Sequence, residues 1–136
     1  MNKRDIIGIV GQGFVGTAVR EGMKNHFTVE TYDKFKDDLS TRASLKELCA
    51  SSKIIFTCLP TPMKKDGSCD LSILESTIHD INNFNLGNIV VIKSTVVPGT
   101  TQRLNKECDN IDIVFNPEFL TEANYIDDFK NQNRII

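Results

Sequence analysis

Six short apolar runs divide the chain: Ile6 to Val10, Thr28 to Tyr32, Ile54 to Leu59, Ile89 to Ile92, Ile111 to Phe115, and a last Arg134-Ile135-Ile136. They are rich in β-branched residues and mostly continuous rather than alternating, the pattern of strands buried on both faces of a parallel sheet. Helical stretches lie between them. Phe14 to Lys24 sets Val15, Ala18, Val19 and Met23 on one face, and Ser44 with Glu47 forms a capping box that opens a short helix. Asp70 is placed to cap a helix whose Leu71, Leu74, Ile78 and Ile81 follow the 3.6-residue period, and Thr100 to Lys106 predicts a fourth. Asn116 as N-cap and Pro117 at the first helical position predict a fifth. Strict alternation of strand and helix predicts an α/β domain with a doubly wound parallel sheet of about six strands, the last cut short at Ile136.

Directly after the first run comes Gly11-Gln12-Gly13-Phe14-Val15-Gly16, the G-x-G-x-x-G spacing, which opens the first helix. In that strand-turn-helix setting Gly11 serves the tight turn, Gly13 lets backbone approach a pyrophosphate, and Gly16 lets helix pack on strand. The helix N-terminus supplies N–H donors and partial positive charge to a dianionic ligand. The second run ends in Asp33, close to the spacing at which a carboxylate accepts both ribose hydroxyls of NAD and repels a 2′-phosphate. The Rossmann-type reading therefore favours NAD as cofactor. Lys34 and Lys36 keep a 2′-phosphate open, and the lesser alternative is that Asp33 simply begins a solvated turn with Lys34.

A local anion site is needed because the chain has no basic surface to offer. Its 136 residues carry a net charge of −2 with no basic run, which argues against nucleic acid. The six apolar or glycine residues before Gln12 are too few for a signal sequence or a membrane span, so a soluble, cytoplasmic protein with no membrane partner is expected. Cys49, Cys58, Cys69 and Cys108 show neither metal-ligand spacing nor a disulfide framework, and no metal is expected.

Ligands of open α/β sheets bind outside the carboxyl ends of the strands, and three loops there are unusual. Leu59-Pro60-Thr61-Pro62 fixes the backbone and leaves the Thr61 hydroxyl as a directed polar group, or is simply a rigid connector. Lys93-Ser94-Thr95 puts two hydroxyls at a strand end, where they serve a ligand or cap the backbone. In Asn116-Pro117-Glu118-Phe119-Leu120-Thr121-Glu122, a helix beginning at Pro117 would set Glu118 and Glu122 as an i, i+4 pair on one face. Two such carboxylates can do acid–base work or compensate the helix dipole.

Taken in order, the glycine loop, Leu59 to Pro62 with Asp66 to Ser72, Lys93 to Thr100, and Asn116 to Glu122 resemble the N-terminal domain of the UDP-glucose/GDP-mannose dehydrogenase family over almost the whole chain. The resemblance implies NAD-dependent, two-step oxidation of a nucleotide sugar's C6 alcohol to a carboxylate through an aldehyde and a thioester, with a UDP-glucose- or GDP-mannose-type substrate. It implies that Gly11 to Gly16 and Asp33 hold the adenosine diphosphate half, that Leu59 to Met63 run along the cofactor, and that Ser94, Thr95 and Val96 line the nicotinamide side. Thr95, Glu118 and Glu122 would be catalytic, Thr95 ordering a water or the sugar hydroxyl. Glu118, Phe119, Leu120 and Glu122 would meet substrate, Glu122 touching the nicotinamide as well.

Ala123, Tyr125 and Gln132 stand where the family usually has Gly, Ala and Pro. The family's nucleophilic Cys in a C-terminal glycine-rich loop, and its central-helix Lys and Asn, have no counterpart here. The chain is therefore expected to be a single cofactor domain, 1–136, completed by a missing C-terminal part or another chain. None of the four cysteines fills the nucleophile's role, and His26 and His79 are given none. The competing reading is a stand-alone NAD-binding or regulatory module without turnover. A 3-hydroxyacid-type dehydrogenase shares the glycine loop but not the Lys93 and Asn116 motifs.

Overall fold

The computed structural model describes residues 5–135. Strands β1 (Ile6–Val10), β2 (Thr28–Tyr32), β3 (Ile54–Thr57), β4 (Ile89–Ile92) and β5 (Asp112–Phe115) alternate with helices α1 (Phe14–Met23), α2 (Leu45–Ser51), α3 (Ser72–Phe84), α4 (Thr100–Glu107) and α5 (Tyr125–Lys130). All strand pairs are parallel, in the order β2-β1-β3-β4-β5. The order reverses between β1 and β3, and that switch point opens a crevice at the carboxyl edge.

The central strands β1, β3 and β4 pack on both faces, whereas the edge strand β5 leaves Val114 and Phe115 exposed. Ile55, Val90, Ile92 and Ile113 pack with Leu48 of α2, Leu74, Ile78 and Ile81 of α3 and Leu104 of α4. Ile7 and Ile9 pack on the opposite face with Ala18 and Val19 of α1 and Phe129 of α5. Burial of apolar surface at roughly 25 cal/mol per Å² makes these two layers the main stabilising term. The outer edge of β2 is covered by the segment that follows it. Thr41 and Arg42 donate backbone N–H groups to the Thr31 carbonyl, and the Thr31 hydroxyl donates to Leu39 O at 2.6 Å. The edge is thereby blocked at Thr31, near the carboxyl end of β2.

Local signals act much as their chemistry dictates. Ser44 Oγ accepts from the Glu47 N–H at 3.2 Å, and Glu47 returns a carboxylate oxygen to the Ala43 N–H. Asp70 lies one residue outside the N-cap of α3 but still accepts from the Ser72 N–H at 3.0 Å. β3 ends at Thr57, so Leu59 belongs to the following loop rather than to the strand.

Two expectations need correction. The helix expected from Pro117 does not form, and residues 116–124 run irregularly until α5 begins at Tyr125. Tertiary and turn bonds claim the groups a first helical turn would use. Asn116 accepts from Lys93 Nζ, Glu118 bends back onto the Leu120 N–H, and Asp128 Oδ2 accepts from both the N–H and the hydroxyl of Thr121. The sheet also has five strands among the described residues, not about six. Arg134 and Ile135 follow the polar Asn131-Gln132-Asn133, where β-propensity is poor, and join no strand, while Ile136 lies outside the described residues.

Candidate cofactor-binding site

The crevice is a cavity of about 1020 Å³, at the upper end of the range typical of ligand pockets. Its first wall is the glycine loop, where each glycine has a different reason. Gly11 has φ +93° and its N–H donates to Tyr32 O; a Cβ there would run into the Cys58 carbonyl. A Cβ on Gly16 would overlap the Gly11 carbonyl oxygen, so close packing of helix on loop fixes that position. Gly13 is different. It has φ −75° and no protein atom within 4 Å of where a Cβ would stand, so neither strain nor packing requires a glycine. A Cβ there would fill only cavity space, which fits a diphosphate lying against bare backbone. No side chain caps α1 and no acidic residue sits in its first turn, so its N-terminal dipole is left for an anion.

Asp33 ends β2 beside this loop. One of its oxygens accepts from the Gln12 N–H at 2.7 Å and the other from the Phe35 N–H at 2.9 Å, which orients the carboxylate with lone pairs left for ribose hydroxyls. Lys36 Nζ donates to the Gln12 carbonyl at 3.1 Å, committing to the loop an ammonium that could have met a 2′-phosphate.

The opposite wall is braced across the switch point. Ser94 Oγ donates to Leu59 O at 2.6 Å and accepts from Leu59 N–H at 3.1 Å, while Thr61 Oγ1 donates to Thr95 O at 2.7 Å. Thr61 and Ser94 thus tie the β3 and β4 exits together. Thr95 is exposed at the cavity wall.

Most expected residues come together here. Gly11, Gly13, Phe14, Val15 and Asp33 line one part of the cavity, and Leu59, Pro60, Thr61, Ser94, Thr95 and Glu118 the other. Gln12 is buried behind the loop, and Gly16 is buried in α1. Glu122 is exposed in a turn outside the cavity lining, so it forms no helical pair with Glu118. Phe119 is exposed, and Leu120 packs on the α1/α5 side of the sheet.

Lys93 is the residue that pattern reading passed over. It is buried, donates to Asn116 Oδ1 at 2.8 Å, and lines the cavity with Cys58 and Glu118. Burial lowers the Lys93 pKa, opposed by the nearby Cys58 and Glu118. Burial also pushes the Cys58 thiol up to about 12, with Lys93 opposing and Glu118 adding. A lysine closing the run Ile89-Val90-Val91-Ile92 was the available signal. Among the described residues there is no cluster of three metal-ligating side chains, and no helix is long and apolar enough to cross a membrane.

Residues 24–136 match the UDP-glucose/GDP-mannose dehydrogenase family, NAD binding domain. The UDP-glucose 6-dehydrogenase of Rhizobium meliloti is 36% identical over 110 residues, covering 75% of this chain and 24% of that protein. The solved UDP-glucose dehydrogenase of Pyrobaculum islandicum superposes with a TM-score of 0.86 at 26% identity, over 97% of this chain and 40% of that one. The ternary complex of GDP-mannose dehydrogenase from Pseudomonas aeruginosa gives a TM-score of 0.76 at 26% identity, over 90% and 38%. The chain thus spans a quarter to two-fifths of the length of these proteins. The match over most of its length makes the chain a member of the UDP-glucose/GDP-mannose dehydrogenase family, as an NAD-binding domain.

Proposed function

We infer that this domain is the cofactor half of a nucleotide-sugar 6-dehydrogenase, acting on a UDP- or GDP-sugar whose C6 primary alcohol becomes a carboxylate. NAD, when bound, supplies the hydride acceptor for each oxidation. The supporting observation is a single cavity that runs from Gly13 and Asp33 to Thr95 and Glu118. Gly11 and Gly13 would present backbone to the diphosphate, and Asp33 would take the ribose hydroxyls. Ser94 and Thr61 would keep the β3 and β4 exits at a fixed spacing, so that a dinucleotide laid across the switch point meets a rigid floor. The Thr95 hydroxyl and the Glu118 carboxylate would orient the sugar hydroxyl or a water and carry its proton.

Three of the four thiols are withheld from nucleophilic work, since Cys49 and Cys108 are buried and Cys58 is held protonated. Cys69 has the Thr61 and Thr95 carbonyls beside it and no activating cation among its hydrogen-bond partners. The reading therefore assigns the covalent step and most of the sugar contacts to a further segment or a completing chain. Residues 1–136 act as a single cofactor domain, and work on a nucleotide sugar with NAD suits the cytoplasm.

The alternative, an NAD-binding module without turnover, draws on the same inert thiols. Calorimetric titration of the chain with NAD and NADP, followed by an assay for NADH with UDP-glucose and GDP-mannose, tests both. Binding of NAD in preference to NADP is expected. Failure to bind NAD overturns the cofactor reading. NADH formation by this chain alone overturns the assignment of the thiol elsewhere.

A further inference from the structure

Lys93 ends an apolar strand with an ammonium, yet only 3% of its surface is exposed. Removing a charged amine from water costs several kcal/mol unless polar groups meet it, and an apolar side chain would fill a strand end without that cost. Two strand-exit loops and a helix converge on it instead. Asn116, just past β5, accepts from Nζ at 2.8 Å, and the ring of Phe129 on α5 lies 5.9 Å away. Cys58, past β3, and Glu118, in the β5 exit segment, are the titratable groups that face it. The charge therefore lies under the part of the cavity wall formed by Ser94, Thr95 and Glu118.

Glu118 needs such an anchor. Its bond to the Leu120 N–H, at 2.7 Å, stays inside its own loop. The loop is held to the sheet at Asn116, through its N–H to Ile92 O at 3.0 Å and through the Lys93 bond.

We propose that Lys93 is a positioning residue for the reacting end of the cavity: its ammonium, locked to Asn116, draws the Glu118 carboxylate to the cavity wall and holds it there. The role in a reaction rests on the proposed function, whereas the coupling is measurable without any ligand. Burial lowers the Lys93 pKa and Glu118 raises it, so Lys93 reports directly on whether the two charges interact.

The test is an NMR titration of Lys93 in the whole chain with isotope-labelled lysine Cε, its signal assigned by its loss in Lys93→Met. Wild type is compared with Glu118→Gln and Asn116→Asp, with amide spectra checking the fold. Lys93 is expected to titrate below the other lysines, to move further down in Glu118→Gln, and to move up in Asn116→Asp. Faster hydrogen exchange at the Leu120 amide is expected in Lys93→Met. Should that variant fail to fold, the signal is assigned through-bond in wild type and Glu118→Gln still decides. An unchanged Lys93 titration in folded Glu118→Gln overturns the proposal. Failure of wild type to bind NAD is a separate outcome, which sinks the cofactor reading and the reaction role of Lys93 while leaving the ligand-free coupling as measured.

Discussion

The Ser94 hydroxyl holds both backbone polar groups of Leu59, donating to its carbonyl at 2.6 Å and accepting from its amide at 3.1 Å. A single side chain thereby replaces the ladder partners that the β3 exit loses where its backbone leaves the sheet. Ser94→Ala strands two groups beside the cavity, and a lost bond with an unmet partner costs about 1–3 kcal/mol. A denaturant midpoint lowered by that amount is expected, together with weaker NAD binding. An unaltered midpoint would show that water substitutes for the hydroxyl.

Gly13 and Gly16 separate ligand space from packing. Gly16→Ala drives a methyl into the Gly11 carbonyl and is expected to destabilise the fold by about 1–3 kcal/mol or more. Gly13→Ala meets no protein atom. It should leave the thermal midpoint in place while reducing NAD affinity at least tenfold. Retained affinity in Gly13→Ala would show that no ligand lies against that backbone.

Asp33 braces the loop beside the cavity, its two oxygens accepting from the Gln12 and Phe35 amides. Asp33→Ala removes two charge-assisted bonds together with the proposed ribose acceptor. With such bonds worth ~1.5–3 kcal/mol each, NAD affinity is expected to fall by tenfold or more. NADP should gain little, because Lys36 remains tied to Gln12 O. Asp33→Ala combined with Lys36→Met distinguishes these effects by calorimetry. A marked gain in NADP affinity in the single variant would show that the lysine is free to turn.

The framework was legible because its signals are local. β-branched runs gave β1, β2 and β4 their observed limits, and the Ser44–Glu47 box opened α2 as expected. The segment after β5 was misread because its fate is decided at a distance. Asn116 and Pro117 look like a helix start, yet Lys93 Nζ donates to the Asn116 side-chain Oδ1 and Asp128 takes the Thr121 donors. Glu122 was paired with Glu118 on a helix that never forms. Lys93 was passed over for the same reason, since its surroundings come from the β3 and β5 exits and from α5, all remote in sequence. Motif spacing can find what each loop offers, but the convergence of the β3 and β5 exits on one ammonium belongs to the fold.

Cys58 provides a prediction whose sign follows from burial. Its thiol is pushed up to about 12, chiefly by burial, from an ordinary value of 9.0. The folded state therefore binds this proton more tightly than the unfolded chain does. That contribution to stability is complete below pH of about 9 and is lost as pH rises toward about 12. Lys93 acts in the opposite sense, because its pKa is lowered by burial and its unfolded form holds the proton more tightly. Wild type alone would mix the two, so the comparison is with Cys58→Ala, which should lose less stability than wild type across this window. At neutral pH the native thiol should resist alkylation and react only when the chain is unfolded, while Cys69, half-buried beside Thr61, labels first. Mass spectrometry of the labelled peptides reads the order. Rapid native labelling of Cys58 would mean that a thiolate is available at the cavity wall, and the separation of the covalent step from this domain would have to be abandoned.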